Sequence, residues 1–125
     1  MGLAYLHRGI QRQADNRHIL VLQAMTFIFQ YYRSCYSQSN KYPAREGTAM
    51  KQQAEYNVAR AFHQLGLFTF AVKYYTNALK LSEEFEGGLG KRDLKFEAAH
   101  NLNLIYCFAE NYEGAKVIAE KYLVL

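Results

Sequence analysis

The residues around Tyr56 and those around His100 spell one pattern twice, 44 residues apart. Residues 54–81 read AEYNVARAFHQLGLFTFAVKYYTNALKL, and residues 98–125 read AAHNLNLIYCFAENYEGAKVIAEKYLVL. With Tyr56 set on His100, Asn57 falls on Asn101, Val58 on Leu102, Ala61 on Ile105, Phe62 on Tyr106, Phe68 on Tyr112, Ala71 on Ala115 and Leu79 on Leu123. Small and bulky residues recur in the same order. That is the pattern of a helical hairpin stacking on copies of itself, because one hairpin alone cannot bury its apolar face. A chain built this way offers a binding surface rather than a catalytic pocket.

The rest of the sequence supports a packed, all-helical fold. Half of the 125 residues are hydrophobic and 15% are aromatic, enough to fill a core. No apolar run approaches the roughly 20 residues of a membrane span, and the opening MGLAYLHRGIQRQ lacks the apolar block of a signal peptide, so the reading is intracellular with no membrane partner. Cys35 and Cys107 have neither a CxxC partner nor a nearby His cluster, which points to reduced thiols and no metal site. The net charge of +4 is spread along the chain. Its densest part is the opening, where Arg8, Arg12 and Arg17 make a candidate basic contact whose plain alternative is a solvated helix face.

Pro43 and the glycines divide the chain into six expected helices. The first runs over about 2–13, and Asp15 or Asn16 caps a second over 17–38. The stretch 39–47 breaks it, and Thr48 caps a third helix that ends near Gly66. A fourth covers 68–81. Residues 86–90, EGGLG, form a flexible connector, Asp93 or Leu94 starts the fifth helix, and the sixth runs from Tyr112 to about Leu123. Ala71 and Ala78 sit where two helices cross closely, with Val58, Phe62, Phe68, Tyr75 and Leu79 filling the space between helices. In the last copy Leu102, Tyr106, Tyr112, Ala115 and Leu123 do the same.

A hairpin with Asn, Gly, aromatic and Ala residues at these intervals resembles the tetratricopeptide repeat. The resemblance implies an α-solenoid, a right-handed superhelical stack, over 1–125: an irregular hairpin at 1–39, a repeat at 52–82 and a degenerate terminal repeat at 93–125. Several positions depart from it. The first aromatic of helix A is Glu55 in one copy and Ala99 in the other, Glu110 replaces the turn glycine, Tyr122 replaces a small residue, and the spacing exceeds the ~34 residues of a standard repeat. The opening reads as the latter half of a helix A, so the sequence is expected to be a piece of a longer array.

A narrower likeness lies in EYNVARAFHQLGL, AVKYYTNALKL, RDLKFEAAHNLNLIY and the terminal KYLVL. With the upstream GLAYLHRGIQRQADNRH, these resemble the carboxy-terminal part of the large tetratricopeptide-repeat subunits of general transcription factor IIIC. That resemblance implies a nuclear scaffold of the RNA polymerase III machinery that holds other factor IIIC subunits and helps recruit initiation factor IIIB. DNA is then reached only indirectly, through the complex.

The candidate site is the inner face of the repeats: Gln53, Tyr56, Arg60, His63 and Gln64 in one hairpin, Glu97, His100 and Leu104 in the next. The terminal residues Tyr122, Leu123, Val124 and Leu125 form a second candidate interface, or else pack on their own repeat. No catalytic constellation, cofactor motif or small-molecule site is legible: the four histidines are scattered, and HExxH, GxSxG and GxxxxGK[ST] are absent. The run QYYRSCYSQSNKYPAR interleaves aromatics and cations as a single-strand binder does, but Tyr31 and Tyr32 continue an apolar helix face, with Tyr36 onward expected at the surface. A rival function in this fold is a peptide-binding adaptor of a chaperone or other complex, clamping a terminal carboxylate. Asn57 and Asn101 fit such a clamp, whereas Tyr56, His100 and Leu104 do not.

Overall fold

The computed structural model describes the backbone of residues 2–123 and the side chains of residues 16–123. The described residues are helical with no strand: α1 (Gly2–Ser39), α2 (Ala44–Gln64), α3 (Phe68–Ser82), a 3-10 turn (Gly90–Arg92), α4 (Lys95–Phe108), α5 (Tyr112–Ile118) and a π-type turn (Ala119–Leu123). Two compact units result, residues 1–30 and residues 31–125. In the second, α2 packs on α3, α3 on α4, and α4 on α5 with the π-type turn.

The expected break between residues 13 and 17 is absent, so the hairpin read at 1–39 is one continuous helix. Asp15 and Asn16 are cap-forming types, yet no proline lies between residues 2 and 39, and a potential cap does not end a helix unless the backbone also turns. Helix α2 begins four residues before Thr48, directly after Pro43, whose φ of −55° and ψ of 156° place it as the last extended residue. Gly47 then falls in the first turn of α2. A Cβ there would stand 2.6 Å from the Ser39 carbonyl oxygen, so only glycine lets the two chain segments come this close.

The core of the second unit is made of the small and bulky residues that recur in the repeat. Ala71, Ala78, Tyr75, Phe62, Val58, Leu79, Leu102, Ile105 and Ala115 are all buried. Removing a side chain such as Val58 or Leu102 from water contributes about 1.5–3 kcal/mol. Phe68 and Tyr112 depart from expectation, being 36% and 66% exposed. Each lies at the first position of its helix, where the side chain leans back over the preceding turn instead of into the crossing.

The buried stripe of α2 runs Thr48, Gln52, Glu55, Ala59, Phe62, at helical spacing but with three polar members. Two of these, Gln52 and Glu55, are engaged by side-chain hydrogen bonds. Gln52 donates from Nε2 to the Ala78 carbonyl (3.1 Å) and to Asp93 Oδ1 (2.9 Å), while its Oε1 accepts from the Leu94 amide (2.8 Å). Asp93 in turn accepts from the Ser82 hydroxyl (2.6 Å) and from the amides of Leu89 (3.0 Å) and Lys95 (3.0 Å). The connector between α3 and α4 is therefore fastened around one carboxylate rather than flexible, and Leu89 is buried beneath it.

Candidate functional site

The inter-helix turns are the local feature that positions the site. Helix α2 ends with Gly66 at φ 77°, its amide bonded to the His63 carbonyl (3.1 Å) and the Leu67 amide to the Phe62 carbonyl (2.9 Å). These are the paired bonds of a Schellman ending. Helix α4 ends with Glu110 at φ 59°, its amide bonded to Cys107 (3.1 Å) and the Asn111 amide to Tyr106 (2.8 Å). Every residue of the second turn lies 44 positions after its counterpart in the first. The next residues match as well: Leu67 has φ −90° and ψ 70°, Asn111 φ −89° and ψ 73°. A side chain that glycine would normally replace thus adopts the same left-handed conformation, and the hairpin is repeated in backbone as well as in sequence.

The candidate residues of α2 lie along one side of that helix, which is outside its buried stripe. Arg60, His63 and Gln64, together with Tyr75 and Asn101, line a hollow of about 220 Å³. His63 Nδ1 is 3.2 Å from the Tyr75 hydroxyl, and its ring meets Phe68 edge-on at 5.7 Å. The Arg60 guanidinium lies 6.0 Å from the Tyr56 ring centroid, and the Tyr56 hydroxyl accepts from Asn101 Nδ2 (3.3 Å). Burial raises the Tyr75 phenol to about 12 against the lowering effect of its hydrogen bond with Asn101, so this wall stays neutral. Gln53, two turns away, lines a larger hollow of about 660 Å³ with Tyr42, Glu46, Met50, Arg92 and Leu94.

Glu97, His100 and Leu104 are exposed on α4 and line neither hollow. The α4 residue that joins the α2 set is Asn101, one position after His100. The same side of α4 continues to Phe108, which is 78% exposed and meets Phe68 with ring centroids 5.6 Å apart. Phe108 is absent from the groove read in the sequence, and Asn101 enters that reading only through the rival carboxylate clamp. The signal available was the i, i+4 spacing of Leu104 and Phe108 and the pairing of Asn57 with Asn101.

The two asparagines perform parallel tasks. Asn57 Nδ2 donates to the Tyr31 hydroxyl (2.8 Å) as Asn101 does to Tyr56. Both amides are thereby engaged inside the chain. Tyr32 and Tyr36 of the aromatic run serve Glu55, which is buried and accepts from the Tyr32 hydroxyl (2.6 Å), the Tyr36 hydroxyl (2.5 Å) and Asn77 Nδ2 (3.4 Å). Burial first and the bond to Glu55 second push the Tyr32 phenol up to about 12, and the same causes raise Tyr36 further, so both remain donors. Tyr36, expected at the surface, is half-buried, whereas Tyr31, expected in the apolar face, is exposed. A carboxylate thus fills the place where the resemblance anticipates the first aromatic of helix A.

Tyr122 and Leu123 are half-buried, and Val124 and Leu125 lie outside the described residues. The Tyr122 hydroxyl donates to Glu83 Oε1 (2.5 Å), which also pairs with Lys121 Nζ (3.0 Å). The bonds from Tyr122 and then Lys121 hold the Glu83 carboxyl below its usual range. Arg17 is exposed, while the side chains of Arg8 and Arg12 lie outside the described residues. Among the described residues no His, Cys, Asp or Glu cluster is placed to hold a metal, and no helix is long and apolar enough to cross a membrane.

What the geometry defines is an all-helical chain with an internally repeated turn and a mixed polar and aromatic surface along α2 and α4. Its relatives are transcription factor components. The chain is 41% identical over 133 residues to transcription factor tau subunit sfc4 of Schizosaccharomyces pombe, covering 99% of the chain and 12% of that protein. It is 35% identical to the transcription factor tau 131 kDa subunit of Saccharomyces cerevisiae, over 98% of the chain and 11% of that protein. To human general transcription factor 3C polypeptide 3 it is 32% identical, over 98% of the chain and 12% of that protein. The homologues are therefore transcription factor IIIC subunits over the whole chain, and the chain spans about an eighth of their length. No protein-family model matches the chain, and no solved structure gives a significant match.

Proposed function

We propose that the chain is a tetratricopeptide-like segment of a factor IIIC subunit, acting as a protein-binding scaffold in RNA polymerase III transcription. Its hairpins α2–α3 and α4–α5 form part of a right-handed α-solenoid, at work in the nucleus. The single observation that carries the reading is the turn repeated at 44 residues in backbone angles and hydrogen bonds, within a chain whose homologues are factor IIIC subunits throughout. The partners are other factor IIIC subunits, with initiation factor IIIB as a further one, and DNA is engaged only through the complex.

The binding surface is the side of α2 and α4 bearing Gln53, Tyr56, Arg60, His63, Gln64, Glu97, His100 and Leu104. Aromatic and arginine side chains supply most of the energy at such surfaces. A carboxylate-clamping adaptor fits less well, because Asn57 and Asn101 already bond to tyrosine hydroxyls. No catalytic role is part of the reading. Capture of separately expressed factor IIIC subunits on the immobilised chain tests it. The scaffold reading expects at least one subunit to be retained at physiological salt; retention of none, with sequence-specific DNA bound instead, would overturn it.

A further inference from the structure

The hollow at the Arg60 end of α2 has a chemistry that narrows what it can receive. Its lining side chains, Arg60, His63, Gln64, Tyr75 and Asn101, include no carboxylate. Arg60 is exposed and has no carboxylate partner among the described residues, whose two ion pairs are Lys116–Glu120 and Lys121–Glu83. Hydrogen bonding adds donors beside that cation. Asn101 donates toward the Tyr75 oxygen, while burial keeps the phenol neutral. The Tyr75 O–H is then left for His63 Nδ1, 3.2 Å away, which puts the proton of a neutral imidazole on Nε2.

A guanidinium with N–H donors around it and no anion among them suits a carboxylate, a group that only accepts. The volume, about 220 Å³, lies below the ~300–1,000 Å³ of small-molecule sites and is on the scale of a single side chain. A nucleic-acid strand would call for a row of cations along its phosphates, whereas Arg60 is the one permanent cation lining this hollow. Its edge is apolar. The His63 ring meets Phe68 at 5.7 Å, and Phe68 meets Phe108, 78% exposed, at 5.6 Å.

We propose that this hollow receives an Asp or Glu side chain from within a partner protein, with a neighbouring apolar residue of the partner lying on Phe68 and Phe108. The proposal rests on the protein-binding reading of α2 and names the partner's chemistry there. Two probes keep the two apart. Acetate and acetamide are titrated into the isotope-labelled 125-residue chain and followed by NMR at the Arg60 Nε–H and the side-chain amides of Gln64 and Asn101. Acetate should give saturable shifts that Arg60→Gln abolishes, and acetamide none. In capture of factor IIIC subunits, Arg60→Glu should weaken retention about tenfold or more and Arg60→Lys less, while Phe108→Ser, a change at an exposed position, should weaken it without lowering the melting temperature. A subunit held equally well by Arg60→Glu, or shifts common to acetate and acetamide, would overturn the proposal and leave the protein-binding reading standing. So would displacement of the subunit by a single-stranded oligonucleotide. Retention of no subunit beside an intact acetate response would sink the reading itself, the hollow then holding an adventitious ion only.

Discussion

Gly66 and Glu110 close equivalent turns with φ 77° and 59°, but the glutamate carries a Cβ into a region that disfavours L side chains. Replacing Glu110 with glycine relieves that strain and adds unfolded-chain entropy, leaving an expected gain of about 0.5–1 kcal/mol. Gly66→Ala should cost about 1 kcal/mol, and chemical denaturation of the two variants measures both. A carboxylate governs the connector. Burial works to raise the Asp93 pKa, but the bonds from Ser82, Gln52 and the amides of Leu89 and Lys95 together outweigh it and hold it below its ordinary value. A depressed folded pKa gives stability that is present above the unfolded value, about 3.9, and lost as pH falls through the folded one. Thermal melts from pH 6 to 3 should therefore show a steeper acid loss in the natural chain than in Asp93→Asn, which is less stable at pH 6 and flatter below it.

At the scale of elements, the close crossing of α2 and α3 rests on Ala71, which is fully buried. Ala71→Leu should overpack that crossing and cost about 1–3 kcal/mol in denaturant titration, whereas the same change at exposed Thr69 should cost far less. The turns and the alanine crossings were legible because glycine, alanine and the order of bulky residues report directly on backbone approach. Helix α1 and the start of α2 were not. Asp15, Asn16 and Thr48 have side chains that can cap a helix, but capping is realised only where the chain turns, and nothing near residue 15 forces it to turn. Polar members of the buried stripe, Gln52 and Glu55, were hidden for a different reason: apolar periodicity cannot register a buried residue whose burial depends on partners 19 to 42 positions away.

For the whole molecule, the repeat sets the last helical segment against α3 position by position. The positions 44 residues after Val72 and Thr76 of α3 are Lys116 of α5 and Glu120 of the π-type turn, an exposed pair 3.9 Å apart. Along α2, the shared helix side of Gln53, Tyr56, Arg60, His63 and Gln64 was readable from helical spacing. The bridge from Asn101 to Tyr56 and the aromatic end at Phe68 and Phe108 required the fold, since they join residues far apart in sequence. The most direct test of the protein-binding reading is the affinity of the chain for the factor IIIC subunit it captures, compared with that of the Tyr56→Ala, Arg60→Ala double variant. Affinity should fall about tenfold or more while the melting temperature stays nearly unchanged; undiminished affinity in the folded double variant would contradict a binding surface on this side of α2.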